Sequence, residues 1–131
     1  MTRSSSRSIL VALTLDVLSV VVFAALGRAT HDGDVLGPAG AGLAETSWPF
    51  LGSLALGWAV SLAWRRPFAP VRVGIPVWIV TVVGGMLLRA VSGQGTQLAF
   101  VIVATIVLGA FLVGWRIVAA IGSRRRVPAR Q

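Results

Sequence analysis

The chain has 131 residues, 56% hydrophobic and 12% charged, with a net charge of +8 and a mean hydropathy of +0.85. A soluble domain carries about twice that share of charged residues, so the composition excludes an ordinary water-soluble fold and points to an integral membrane protein of one domain, residues 1–131. Cysteine is absent, which excludes disulfides and thiolate metal sites.

A helix crossing the roughly 30 Å hydrocarbon layer needs about 20 mainly apolar residues. Four stretches meet or approach that requirement: 9–27, 48–64, 75–91 and 98–121. The first, "ILVALTLDVLSVVVFAALG", contains a single charged side chain, Asp16. Its basic start and the small pair Ala25/Gly27 have the outline of a cleaved signal peptide. The internal acid and the long apolar run favour a retained span instead. A Gly/Ala-rich loop follows, "RATHDGDVLGPAGAGLAET". The second span opens on Ser47 and Pro49, and the third on Gly74 and Pro76, both helix-start signals. The short "RRPFAPVRVG" link between them makes those two helices antiparallel neighbours. "SGQGTQ" leads into the last span, and residues 122–131 read as a basic tail. The endings "ALGRA" and "MLLRA", and likewise "AWRR" and "GWRI", echo each other. Two related hairpins would produce that echo, although interfacial Trp and Arg explain it more simply.

All twelve basic residues are arginine. Ten of them flank one set of span ends, and only Arg28 and Arg89 fall on the other side. The positive-inside rule then places both termini in the cytoplasm. These arginines border apolar runs rather than forming a basic face, and no nucleic-acid-binding module accompanies them, so nucleic acid is not an expected partner.

On helical wheels each span shows a stripe at three-and-four spacing: Ala12, Asp16, Ser19, Phe23; Ser53, Gly57, Ser61, Trp64; Trp78, Thr81, Gly85, Arg89; Thr105, Gly109, Leu112, Arg116. Small residues at that spacing let membrane helices approach closely. Asp16 lies roughly 10 Å inside the cytoplasmic end of its helix, with Thr81 at about the same depth. Ser61 lies nearer the surface, as does Arg116, which can reach inward. Trp58 shares the depth of Asp16 but falls off its stripe.

A carboxylate at mid-span costs about 2.5–3.5 kcal/mol on insertion scales. The twelve Leu, Ile, Val and Phe residues of the same span supply about −4 to −7 kcal/mol, so insertion survives. Asp16, Ser61, Thr81 and Arg116 therefore form a candidate intramembrane polar site. It is either an interhelical structural contact or a proton- or cation-responsive one.

Arg28, His31 and Arg89 form the opposite rim, where the two arginines are candidates for holding an anionic headgroup or substrate. They would otherwise offset Asp32, Asp34 and Glu45. His31 with those three acids has metal-competent chemistry, but the spacing matches no known motif, so no metal or cofactor is expected. Trp48, Trp64, Trp78 and Trp115 lie near span ends, as an aromatic belt would place them.

The ordered signposts are an early Asp with "FAALGR..H", then "WPF", "GW", "GGMLLR", Phe100 and "GWR". Together they resemble the membrane family known as domain of unknown function 3054, best known from actinobacteria, over about residues 9–121. The matching positions are Asp16, Phe23, Gly27, Arg28, His31, Pro49, Phe50, Gly57, Trp58, Gly85, Arg89, Phe100, Gly114, Trp115 and Arg116. The resemblance implies a four-span bacterial plasma-membrane protein and no particular activity.

The expected fold is thus an all-α, four-transmembrane-helix bundle with both termini cytoplasmic. Its expected partners are the lipid bilayer, anionic lipid, and a second copy or another membrane protein. The leading reading is an integral membrane protein of unknown biochemical activity and not an enzyme, with an accessory or interaction subunit as the role it could fill. The alternative is a small proton-coupled transporter or channel using Asp16, like the small multidrug transporters in architecture alone. Four helices packed on small residues leave little room for a pore in one subunit, so that alternative requires an oligomer.

Overall fold

The computed structural model describes residues 5–31 and 34–125. Among these the regular structure is helical, with no strand: α1 (Ser6–His31), α2 (Ala41–Ser61), α3 (Ile75–Val91), α4 (Leu98–Leu112) and α5 (Gly114–Arg125). Single 3-10 turns at Pro38–Gly40 and Ala63–Arg65 flank α2, and a π-helical turn at Pro70–Gly74 leads into α3. α4 and α5 behave as one rod. Val113 between them keeps helical dihedrals (φ −86°, ψ −39°), donates to the Gly109 carbonyl and accepts from Ile117. The chain is therefore all-α, with four helical rods.

Each rod packs on its neighbours in the sequence, and α1 packs on α4 to close the ring. The packing contacts give the directions. On α2 and α3, Gly57 approaches Val77, Ser53 approaches Gly84, and Phe50 approaches Gly85, so the two helices run antiparallel. On α1 and α2, Asp16 meets Trp58 and Phe23 meets Phe50. Phe23 also faces Phe100 of α4, while Asp16 meets Arg116 of α5. The result is an up-down-up-down bundle.

Close approach depends on residues without side chains. A Cβ at Gly57 would stand 3.2 Å from the Val77 Cα, so the α2 and α3 backbones nearly touch there. At Gly85 a Cβ would collide with the Phe50 ring. Phe50 is fully buried, edge-on to Phe23 at 5.2 Å and 85°, with Phe100 at 6.2 Å. Farther along, the Trp78 indole donates to the Thr105 carbonyl at 2.9 Å and ties α3 to α4.

The exterior is far more apolar than that of a soluble bundle. Large aliphatic side chains such as Leu10, Val60, Ile106 and Leu98 point outward, while Asp16, Ser47, Ser53, Thr81 and Arg116 are buried. Three helices, Ser6–Thr30, Pro70–Val91 and Leu98–Arg125, are long and apolar enough to cross a membrane. An aliphatic exterior, with the few charged and hydroxyl groups of the spans turned into the bundle, is what lipid solvation selects.

The observed limits differ from the expected ones in instructive places. α1 continues to His31, beyond Gly27. α2 begins at Ala41 rather than at residue 48, so Pro49 lies inside the helix instead of in its first turn. α2 is not among the three long apolar spans, since "AGLAETSWPFLGSLALGWAVS" gives many positions to Glu, Thr, Ser, Pro and Gly. The final rod runs to Arg125, so the start of the expected tail is helical. Residues 126–131 lie outside the described residues.

Candidate functional site

The site forms where the first half of α1, the end of α2 and the start of α5 converge on the 62–74 link. Asp16 and Arg116 are each fully buried, and their side chains form a two-pronged ion pair. Arg116 Nη1 donates to Asp16 Oδ1 at 2.8 Å, and Nη2 donates to Oδ2 at 2.7 Å. Each carboxylate oxygen also accepts an indole N–H, Oδ2 from Trp58 at 2.7 Å and Oδ1 from Trp115 at 2.9 Å. Both oxygens are thus satisfied by two donors apiece.

The guanidinium is anchored just as closely. Its Nε donates to the Pro67 carbonyl at 2.9 Å, and Nη1 donates a second time to the Leu112 carbonyl at 2.8 Å. The cation stacks on the Trp115 ring, 4.5 Å from its centroid, and Phe68 packs edge-on against that indole at 5.5 Å. Gly74, at the end of the π-helical turn, makes room for this arrangement, since a Cβ there would lie 3.2 Å from Arg116 Cδ. The planar fork of arginine suits a carboxylate, which a lysine point charge would not match.

Chemically this is a closed clamp. Four N–H donors occupy the two Asp16 oxygens, two on each. The clamp joins α1, α2, α5 and the 62–74 link through one residue on α1. Removing one indole donor while keeping an aromatic ring should loosen it. We expect Trp58→Phe to lower stability in detergent unfolding by about 1.5–3 kcal/mol, the range for a hydrogen bond to a charged group. An unchanged unfolding midpoint would show that the Trp58 contact contributes nothing.

Of the residues proposed from sequence, Asp16 and Arg116 come together, while Ser61 and Thr81 bond elsewhere or not at all. Ser61 Oγ donates back to the Gly57 carbonyl at 2.7 Å. Thr81 is fully buried, and its hydroxyl has no hydrogen-bond partner among the described residues. The carboxylate takes its remaining two donors from the Trp58 and Trp115 indoles instead. Trp58 had the depth but lay off the polar stripe, and Trp115 read as a belt residue. The adjacency of Trp115 to Arg116 was the available signal.

Arg28 and Arg89 lie together at the other end of the bundle, lining one pocket. His31 ends α1, and its side chain lies outside the described residues, as does Asp32. Asp34 accepts from the Gly37 N–H at 3.0 Å, and Glu45 lies on the exposed side of α2. Among the described residues, no group of three His, Cys, Asp or Glu side chains is arranged to hold a metal.

A family model described as "Protein of unknown function (DUF3054)" matches residues 13–119. The chain belongs to the DUF3054 family. The matched region contains Asp16, Trp58, Trp115 and Arg116, so the entire clamp falls within the DUF3054 domain. Arg28 and Arg89 fall within it as well. No curated protein and no solved structure matches the chain.

Proposed function

We propose that this DUF3054 protein is a non-enzymatic accessory or interaction subunit of the bacterial plasma membrane, in which Asp16 is a structural group. The observation that supports this is the double occupancy of both Asp16 oxygens by buried N–H donors. A titrating carrier needs a carboxyl that meets water or substrate at some stage, and this one is fully buried and paired on every side. With the buried charge engaged inside the bundle, the exposed faces of the helices are left to act on lipid and neighbouring proteins.

All four rods cross the bilayer in this reading, α2 included, because its close packing on α1 and α3 buries Ser47 and Ser53 away from lipid. Both ends lie in the cytoplasm, in keeping with ten arginines against two. Thiol labelling of single cysteines introduced at positions 5 and 124 should find both sites accessible from the cytoplasmic side only. Labelling of the two from opposite sides would overturn the topology.

Flux measurements separate this function from transport. Wild-type protein in sealed liposomes should show background proton, cation and drug movement across a pH gradient. Movement above background that disappears in Asp16→Asn, at equal folded fraction, would establish Asp16 as a carrier and overturn the structural reading.

A further inference from the structure

Arg28 and Arg89 are the two arginines on the opposite side from the other ten, and they converge on one pocket. One comes from the last turns of α1 and the other from the end of α3. The pocket holds about 340 Å³ and has Phe23 and Phe100 on its apolar wall, with Gln94 beside the two cations.

Arg89 is held in place before any ligand arrives. Its Nε donates to the Gly95 carbonyl at 3.1 Å, Nη1 to Gln94 Oε1 at 3.0 Å and Nη2 to the Gln94 carbonyl at 3.1 Å. The guanidinium also sits over the Phe100 ring, 4.3 Å from its centroid. A guanidinium carries five N–H groups. The two that remain have no hydrogen-bond partner among the described residues. Arg28 is positioned by donating from Nε to the Val35 carbonyl at 2.9 Å. The lack of a side chain at Gly42 leaves the space that its guanidinium fills. Glu45, on the exposed side of α2, acts electrostatically on Arg89.

We propose that this pocket binds a phosphate-bearing anion, with the phosphate bridging Arg28 and Arg89 and its apolar substituent lying against Phe23 and Phe100. Planar guanidinium forks match phosphate oxygens, and fixing the fork beforehand reduces the entropy lost on binding. The pocket lies at the helix ends, where headgroups sit, so an anionic phospholipid is one source of that phosphate. A free phosphate or phosphate ester from the aqueous side is the other.

The test uses the full chain in nanodiscs of neutral phosphatidylcholine. One arm replaces part of the lipid with phosphatidylglycerol, and the other adds inorganic phosphate to the neutral discs. Binding is followed by thermal shift and by native mass spectrometry. Two variants separate charge from shape. Arg89→Gln removes one cation. Gly27→Leu keeps both arginines but occupies the pocket, since Gly27 lines it and a Cβ there meets nothing within 4 Å. Saturable binding in either arm, weakened about tenfold or more by each variant, is the expected result. The arm that responds identifies the source of the phosphate. Thermal stability in neutral discs should be unchanged for Gly27→Leu, which distinguishes lost binding from lost fold. No binding in either arm, or wild-type affinity in either variant, would overturn the proposal.

Discussion

Arg116→Met should lower the unfolding free energy in bicelles by about 3–5 kcal/mol, because it leaves the buried Asp16 carboxylate without its counter-charge. The two indoles would remain, but they supply only half of the four donors that now surround the carboxylate. Arg116→Lys should recover little, since an ammonium group cannot serve both Asp16 oxygens while reaching the Pro67 and Leu112 carbonyls. The informative partner is the double variant Asp16→Leu with Arg116→Met. Exchanging a whole buried ion pair for apolar residues of similar volume is often neutral or stabilising, so the double variant should be far less damaged than either single one. A double-mutant cycle by steric trapping or denaturant titration would report that coupling. Simple additivity would mean that the pair does not interact in the bilayer.

The second large effect is expected at the α2/α3 contact. Gly85→Ala places a methyl group into the space of the Phe50 ring, which is fully buried between Phe23 and Phe100 and has nowhere to retreat. Overpacking of this kind costs about 1–3 kcal/mol. Shortening the opposing ring should relieve it, so that Phe50→Leu in the Gly85→Ala background costs less than Phe50→Leu alone. The same unfolding assay would measure both backgrounds. Equal costs for Phe50→Leu in the two would show that the helices shift apart without strain, contrary to the close approach seen at Gly57 and Val77.

Much of this architecture is legible in the sequence, for identifiable reasons. The rods of α1, α3 and α4/α5 follow from long apolar runs, the strongest signal a chain in lipid can carry. Asp16 and Arg116 both belong to the polar set legible in the sequence, because a buried acid must find a cation or donors and Arg116 can reach its depth, but nothing there chose Arg116 over Ser61 and Thr81. The start of α2 was harder to see. Its first turns carry Gly42, Glu45 and Thr46, and hydropathy gives no reason to extend a span through them. Local contacts meet that segment instead: the Arg28 guanidinium of α1 fills the space beside Gly42, and the Leu43 N–H donates to the Leu36 carbonyl.

The two indole donors were hidden for a different reason. Tryptophan has the same composition signal in a membrane belt as in a buried hydrogen bond, and only the rotation of the helix distinguishes them. Trp58 turns inward from a position one residue beyond the Gly57 stripe, and Trp115 lies beside the carboxylate while stacked under Arg116. Ser61 illustrates the reverse case. A hydroxyl in a helix can satisfy itself on the preceding turn, and here it does so at the Gly57 carbonyl rather than crossing to α1.

The clamp ties three helices and a loop to one side chain on α1, and its integrity in a bilayer decides whether Asp16 is structural. Solid-state NMR of the protein in lipid, with the Arg116 guanidinium labelled with nitrogen-15 and the Asp16 carboxyl with carbon-13, measures that contact directly. The prediction is strong dipolar coupling of both Arg116 Nη atoms to the Asp16 carboxyl carbon, reflecting the 2.8 Å and 2.7 Å hydrogen bonds. Coupling absent at both nitrogens in a folded sample would contradict it.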